Sequence, residues 1–168
     1  AATTYLQQGL AISQTINDLL FVSLGLWQLG EVAWQQQQYE AAQTHFAALQ
    51  ALFADSPLFH LAVLGRAGLA RAALAQEQPF AHHLTTVLEY LRQNPQFRGV
   101  HYPLPVYLHT YHCLQAQADV RASQILTEAY QLLQERAAKI QAAATRRSYL
   151  ENVPEHREIV RLYEEQLG

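Results

Sequence analysis

Apolar positions along this chain recur at steps of three and four residues rather than two, the period of helices. The pattern is clearest from Leu26 to Phe53. Leu26, Leu29, Gly30 and Ala33 share one side of a helix, and after a polar turn Tyr39, Ala42, Phe46, Leu49 and Phe53 form the stripe of another. Small residues at Gly30, Ala33 and Ala42 predict close approach of two backbones, with Tyr39 and Phe46 filling the space beside them. A pair of this kind cannot bury its apolar face alone, so the pattern predicts a stack of similar pairs.

The remaining segments read the same way. Residues 1–16 place Tyr5, Gly9, Ile12 and Ile16 on one stripe, as in the second helix of a truncated pair. The next helix spans about Leu19 to Gln36. Its first half, LLFVSLGLWQL, is apolar nearly all round, which predicts packing on several sides. It is too short to cross a membrane, and Gln28 and Glu31 interrupt it. Asp55-Ser56-Pro57 closes the Tyr39 helix and opens another, with Ser56 as cap and Pro57 in the first turn. LFHLAVLGRAGLARAALA follows from Leu58, then a turn at Gln78-Pro79. A helix carrying Phe80, Leu84, Val87 and Leu91 ends near Asn94-Pro95, and residues 95–103 read as a loop. A helix over Leu104–Gln117 is followed by Ala118-Asp119. A long helix then runs to about Ile140 with Ala122, Ile125, Ala129 and Leu132 on one side. Polar, alanine- and glutamine-rich sequence continues to Arg147. Asn152 and Glu155, flanking Pro154, mark the start of a last helix to Gln166 that carries Ile159, Leu162 and Tyr163.

The turn residues Gln38, Gln78 and Asp119 recur every 40 to 41 residues, the mark of a helical repeat array. The expectation is one all-α domain over 1–168. It comprises an orphan helix at 1–16, repeats at 18–55, 57–94 and 103–140, and a C-terminal cap at 141–168.

Composition agrees. Half of the 168 residues are hydrophobic and 15% are charged, with seven glycines and six prolines. A domain of that length buries roughly 70% of its unfolded surface. The net charge of −3 lacks the basic excess of a nucleic-acid module, and of the basic residues only Lys139 is not arginine. Cys113 is the single cysteine, so no disulfide forms within the chain and a reducing, cytoplasmic setting fits best. No apolar run is long enough to span a membrane, and no signal peptide opens the sequence. Methionine is absent, including at position 1, so the chain is read as a piece of a longer or processed polypeptide.

Leu29-Gly30, Tyr39 and Ala42-x3-Phe46 resemble the tetratricopeptide repeat. Two weaker copies, LARAALAQEQ and VYLHTYHCLQAQADVRAS, follow at a period longer than the family's roughly 34 residues. The resemblance implies a right-handed α-solenoid of antiparallel helix pairs. The tail, AYQLLQERAAKI with TRRSYLENVPEHREIV, resembles the end of tetratricopeptide regions in large bacterial signalling and regulatory proteins linked to an NTPase, cyclase or transcription-activator domain. Together these imply a non-catalytic scaffold or peptide-binding module within such a regulator. The inner surface would carry Trp27, Glu31, Trp34, Gln35, Arg71, His112 and Gln115, and aromatic and arginine side chains there are good anchors for a peptide.

No phosphate loop, GxSxG elbow, HExxH or CxxC motif is present, so the chain is read as no enzyme. His109 and Cys113, four apart on one helix with His112 between them, are the best metal-like group, with His82 or His83 as further ligands. Burial of Cys113 as a small hydrophobe competes with that reading, and the expectation is no metal and no cofactor. Tyr149, Glu151, His156, Arg157 and Glu158 offer an acid–base cluster, but exposed helix charges are the preferred reading of them. The expected partner is a protein or peptide segment, or another domain of the same polypeptide, with neither nucleic acid nor membrane. Two other roles stay open. One is a sensor that binds an effector and controls an upstream domain. The other is a dimer formed through exposed terminal helices, motivated by the uncovered stripe of residues 1–16.

Overall fold

The computed structural model describes residues 2–94 and 102–167. Among them lie nine α-helices and no strand. In chain order they are α1 (Ala2–Thr15), α2 (Leu19–Gln35), α3 (Tyr39–Leu52), α4 (Phe59–Ala75), α5 (Ala81–Gln93), α6 (Pro103–Ala116), α7 (Arg121–Ala138), α8 (Ala143–Glu151) and α9 (Pro154–Leu167). The backbone groups into two compact units, Ala1–Gln93 and Asn94–Gly168. Most of the expected loop at 95–103 lies outside the described residues.

One turn recurs four times. After α1, α2, α4 and α6 the chain places Asn17, Gln37, Glu77 and Ala118 in the left-handed region, with φ of 53°, 60°, 56° and 53°. The next residue reaches back to the helix in each case. Asp18 N–H donates to Ser13 O, Gln38 to Ala33 O, Gln78 to Ala73 O and Asp119 to Leu114 O, at 2.9 to 3.0 Å. Each left-handed residue also donates its own N–H to the carbonyl three before it. This double bond closes a helix by satisfying its last carbonyls. The repeat read from Gln38, Gln78 and Asp119 is therefore a repeat of helix-ending geometry. The same geometry also closes α1 at Asn17, only 20 residues before Gln37 and so outside the 40-residue step, and α1 thus ends in the turn that also ends α2, α4 and α6.

In the first unit each helix packs on the next in chain order, and α2 also meets α4. Phe46 of α3 is the centre of that packing. It is fully buried, as are Ala42 and Leu49 one turn to either side. Its ring lies against Gly30 of α2 and Gly68 of α4, where any Cβ would collide with ring atoms. Gly65 brings α4 still closer: a Cβ there would lie 2.7 Å from Phe46 O and from Gln50 N, both backbone atoms of α3. The third helix is thus held between two helices whose glycines remove the side chains that would keep it out.

Two expectations for this unit are corrected. The apolar first half of α2 is not covered on all sides. Burial begins at Val22, while Leu19, Leu20 and Phe21 are about half exposed, because the neighbouring helices of the unit leave the first turn open. Helix α4 starts at Phe59 rather than at Pro57. Ser56 still serves the turn, its Oγ accepting from Leu58 N–H at 3.1 Å.

In the second unit α6 packs on α7 and α9, α7 on α8 and α9, and α8 on α9. Helix α7 buries Ala122, Ile125, Leu126, Ala129, Leu133 and Ala137, and Leu132 is only half-buried, since the stripe drifts by one position along a straight helix. Ile159 of α9 is fully buried, and Tyr163 stacks on Tyr130 of α7 with centroids 4.0 Å apart and planes within 7°. Helix α8 was not expected, because it buries none of its residues and so carries no apolar stripe to read. Asn152, expected to cap the last helix, closes α8 instead: its N–H donates to Ser148 O and its side-chain amide to Ser148 Oγ.

Candidate binding face

Trp34 and Arg71 meet across the α2–α4 contact of the first unit. The guanidinium carbon of Arg71 stands 4.9 Å from the centroid of the Trp34 ring, a cation–π arrangement. Both side chains are half-buried. The indole Nε1 of Trp34 is shielded from solvent and has no hydrogen-bond partner among the described residues. Helical spacing carries Glu31 and Gln35 to the flanks of Trp34, the first half-buried and the second exposed.

Trp27, seven residues before Trp34, has a different fate. It is 4% exposed and tilts against Phe46, with centroids 5.2 Å apart. The side that α2 turns to Phe46 of α3 covers Trp27, whereas Trp34 lies two turns further along, where α4 supplies Arg71 as its neighbour. Trp27 is a core side chain. Of the residues expected on an inner surface, Glu31, Trp34, Gln35 and Arg71 are the ones in this unit that are not buried in the core.

His112 and Gln115 lie in the second unit. The Nε2 of His112 is 2.9 Å from Glu158 Oε1, joining α6 to α9. Gln115, one turn on, is exposed and lines a cleft of about 370 Å³ together with Tyr111, Asp119, Val120, Leu162 and Glu165. The carboxylates of that cleft are engaged. Asp119 Oδ2 accepts from Arg121 Nη2 at 2.6 Å, which holds its carboxyl down at about 2, and Glu165 accepts from Arg161 at 2.7 Å. Val120 and Glu165 escaped the sequence reading, since nothing in their spacing shows that the α6–α7 turn faces the end of α9.

The other candidate clusters disperse. His156 Nδ1 lies 2.7 Å from the carbonyl oxygen of Tyr149, and burial lowers the pKa of its ring. Glu158 turns to His112, so the two do not form an acid–base pair. Cys113 is fully buried and His109 nearly so. His82 and His83 pack ring to ring at 3.8 Å in the first unit. Burial, with help from His82 and Arg66, holds the His83 pKa down at about 4. No group of three or more histidine, cysteine, aspartate or glutamate side chains placed to hold a metal ion occurs among the described residues. Nor is any helix among them long and apolar enough to cross a membrane.

Comparison with family models, with curated proteins and with solved structures returned no match to this chain.

Proposed function

We propose that this chain is a non-catalytic binding module. It would be a tetratricopeptide-like stack of antiparallel helix pairs that holds a protein or peptide segment, or a neighbouring domain of a larger regulator. The observation that carries the reading is the Trp34–Arg71 pair. An aromatic ring with a cation held over it, both partly uncovered, forms an anchor that loses little side-chain entropy on binding, and tryptophan and arginine are among the residues that dominate interface energetics. The like turns after α2, α4 and α6, at steps of 40 and 41 residues, and the contact of α2 with α4 support the stacked-pair architecture behind it. The test is selection of a displayed peptide library on the immobilised chain, followed by titration of the selected peptides against the Trp34→Ala and Arg71→Ala variants. Loss of binding by roughly tenfold or more supports the reading. Peptides that bind both variants as well as they bind the parent chain refute it.

A second reading has its own observation. The cleft beside Gln115 is within the range of roughly 300–1,000 Å³ typical of small-molecule sites and mixes apolar Val120 and Leu162 with amide and hydroxyl groups. That favours binding of a small effector, and the tail's resemblance would make the domain it governs an NTPase, cyclase or activator. A metabolite screen by thermal shift tests it, because a ligand of the folded state raises the melting temperature. A compound whose shift survives Gln115→Ala and Leu162→Ala binds elsewhere and counts against the cleft.

A further inference from the structure

The cleft beside Gln115 lies wholly within the second unit, where the end of α6, the start of α7 and the end of α9 come together. Tyr111 and Ala122, both buried, back it, and Val120 stands exposed at its rim. Its charge is one-sided. The described residues that line it include two carboxylates, Asp119 and Glu165, and no lysine, arginine or histidine. The neutral polar groups there, Gln115 and Ser123 among them, carry oxygens that can accept an N–H. Val120 and Leu162 supply apolar surface. Nothing in this lining offers a positive charge to a phosphate or a carboxylate.

The two carboxylates differ in how firmly they are held. Both oxygens of Asp119 are taken by Arg121: Oδ1 accepts from its backbone N–H and from Nε at 2.9 Å, and Oδ2 accepts from Nη2 at 2.6 Å. Glu165 accepts one hydrogen bond among the described residues, from Arg161 Nη1 at 2.7 Å, one turn earlier on α9. The Arg161 and Glu165 side chains are 55% and 59% exposed, and an exposed ion pair one turn apart on a helix contributes little. Arg161 does not line the cleft, so a cation entering it can take Glu165 and leave the guanidinium to water. On the effector reading of this cleft, we propose that it takes a small organic cation, an ammonium group on a short hydrocarbon body. Glu165 binds the charge, Gln115 and Ser123 accept its N–H groups, and Val120 and Leu162 cover the hydrocarbon. The volume of about 370 Å³, at the small end of ligand sites, suits a body of a few carbons.

The test is titration of the full 168-residue chain, labelled with nitrogen-15, with butylamine and with butanol and butyrate as its neutral and anionic counterparts, at constant ionic strength. Butylamine should move the amide resonances of Gln115, Val120 and Glu165 to saturation, and the other two should not. Glu165→Gln should weaken butylamine by roughly tenfold. Arg161→Gln, which releases Glu165, should tighten it by roughly twofold. Both substitutions are at exposed positions and should keep the parent's circular dichroism. Butanol or butyrate filling the cleft as well as butylamine overturns the proposal and leaves the effector reading standing. A cleft that answers to none of the three, or that binds butylamine equally in the parent and in both variants, overturns the proposal too. The effector reading would then survive only on a hit from the metabolite screen that Gln115→Ala abolishes.

Discussion

The ring of Phe46 sits where a side chain on Gly68 would begin: an ideal Cβ at Gly68 would lie 2.6 Å from Phe46 Cγ. The same ring blocks Gly30 from the other side. Alanine is ordinarily the better helix former by roughly 1 kcal/mol. Here Gly68→Ala and Gly30→Ala should nonetheless destabilise the chain, by about 1–3 kcal/mol, because the ring cannot retreat from between two helices. Gly65→Ala should cost more, since its Cβ would meet backbone rather than a ring. Denaturant midpoints check the order. Phe46→Leu should recover part of the loss when combined with Gly30→Ala, the sign of a shared volume.

The four turns make the opposite prediction. Ala118 holds φ 53° without a side-chain hydrogen bond to reward it, and Gln37 and Glu77 hold 60° and 56°. A left-handed residue with a Cβ costs roughly 1–2 kcal/mol, which glycine avoids. Ala118→Gly should therefore stabilise the second unit by about 0.5–1 kcal/mol, after the greater entropy glycine loses on folding. Gln37→Gly should do the same in the first. Val at either position should lower the melting temperature.

Removing the guanidinium from Trp34 should be visible without any ligand. Arg71→Ala should cost about 0.5–2 kcal/mol and shift the tryptophan emission, since Trp34 loses its cover while Trp27 stays in the core. Arg71→Lys should retain part of the stability but less of the ring contact, because an ammonium lacks the planar face. An unchanged emission spectrum in Arg71→Ala would show that the pair does not persist in solution.

Acid should weaken the first unit in a defined window. The pKa of His83 is lowered from 6.5 to about 4 in the fold. Between those values the unfolded chain binds a proton that the folded chain does not, so stability falls as pH drops through that interval and is fully retained above it. Burial of His156 acts in the same direction in the second unit. Melting temperatures measured from pH 7 to pH 4 should decline, and His83→Gln should flatten the decline. A parallel curve for that variant would place the titrating group elsewhere.

Helix positions and the repeating turns were legible because both are local. The period of three and four follows from the helix itself, and Gln38, Gln78 and Asp119 each follow a residue that ends a helix by bonding back to it. The close approach at Gly30 and Ala42 was legible for the same reason, since a small residue in an apolar stripe has few other uses. Helix α8 was missed because nothing on it is buried, and Leu132 was preferred to Leu133 because stripe and helix differ slightly in period. The partners of the candidate side chains were not legible at all. Trp27 and Trp34 share a helix face by spacing, yet Phe46 claims the first and Arg71 the second. His112 finds Glu158 across 46 residues. Sequence determines what each turn of helix can offer, because that depends on neighbours along the chain. Which offers are taken depends on helices brought alongside from elsewhere, and only their packing in three dimensions decides it.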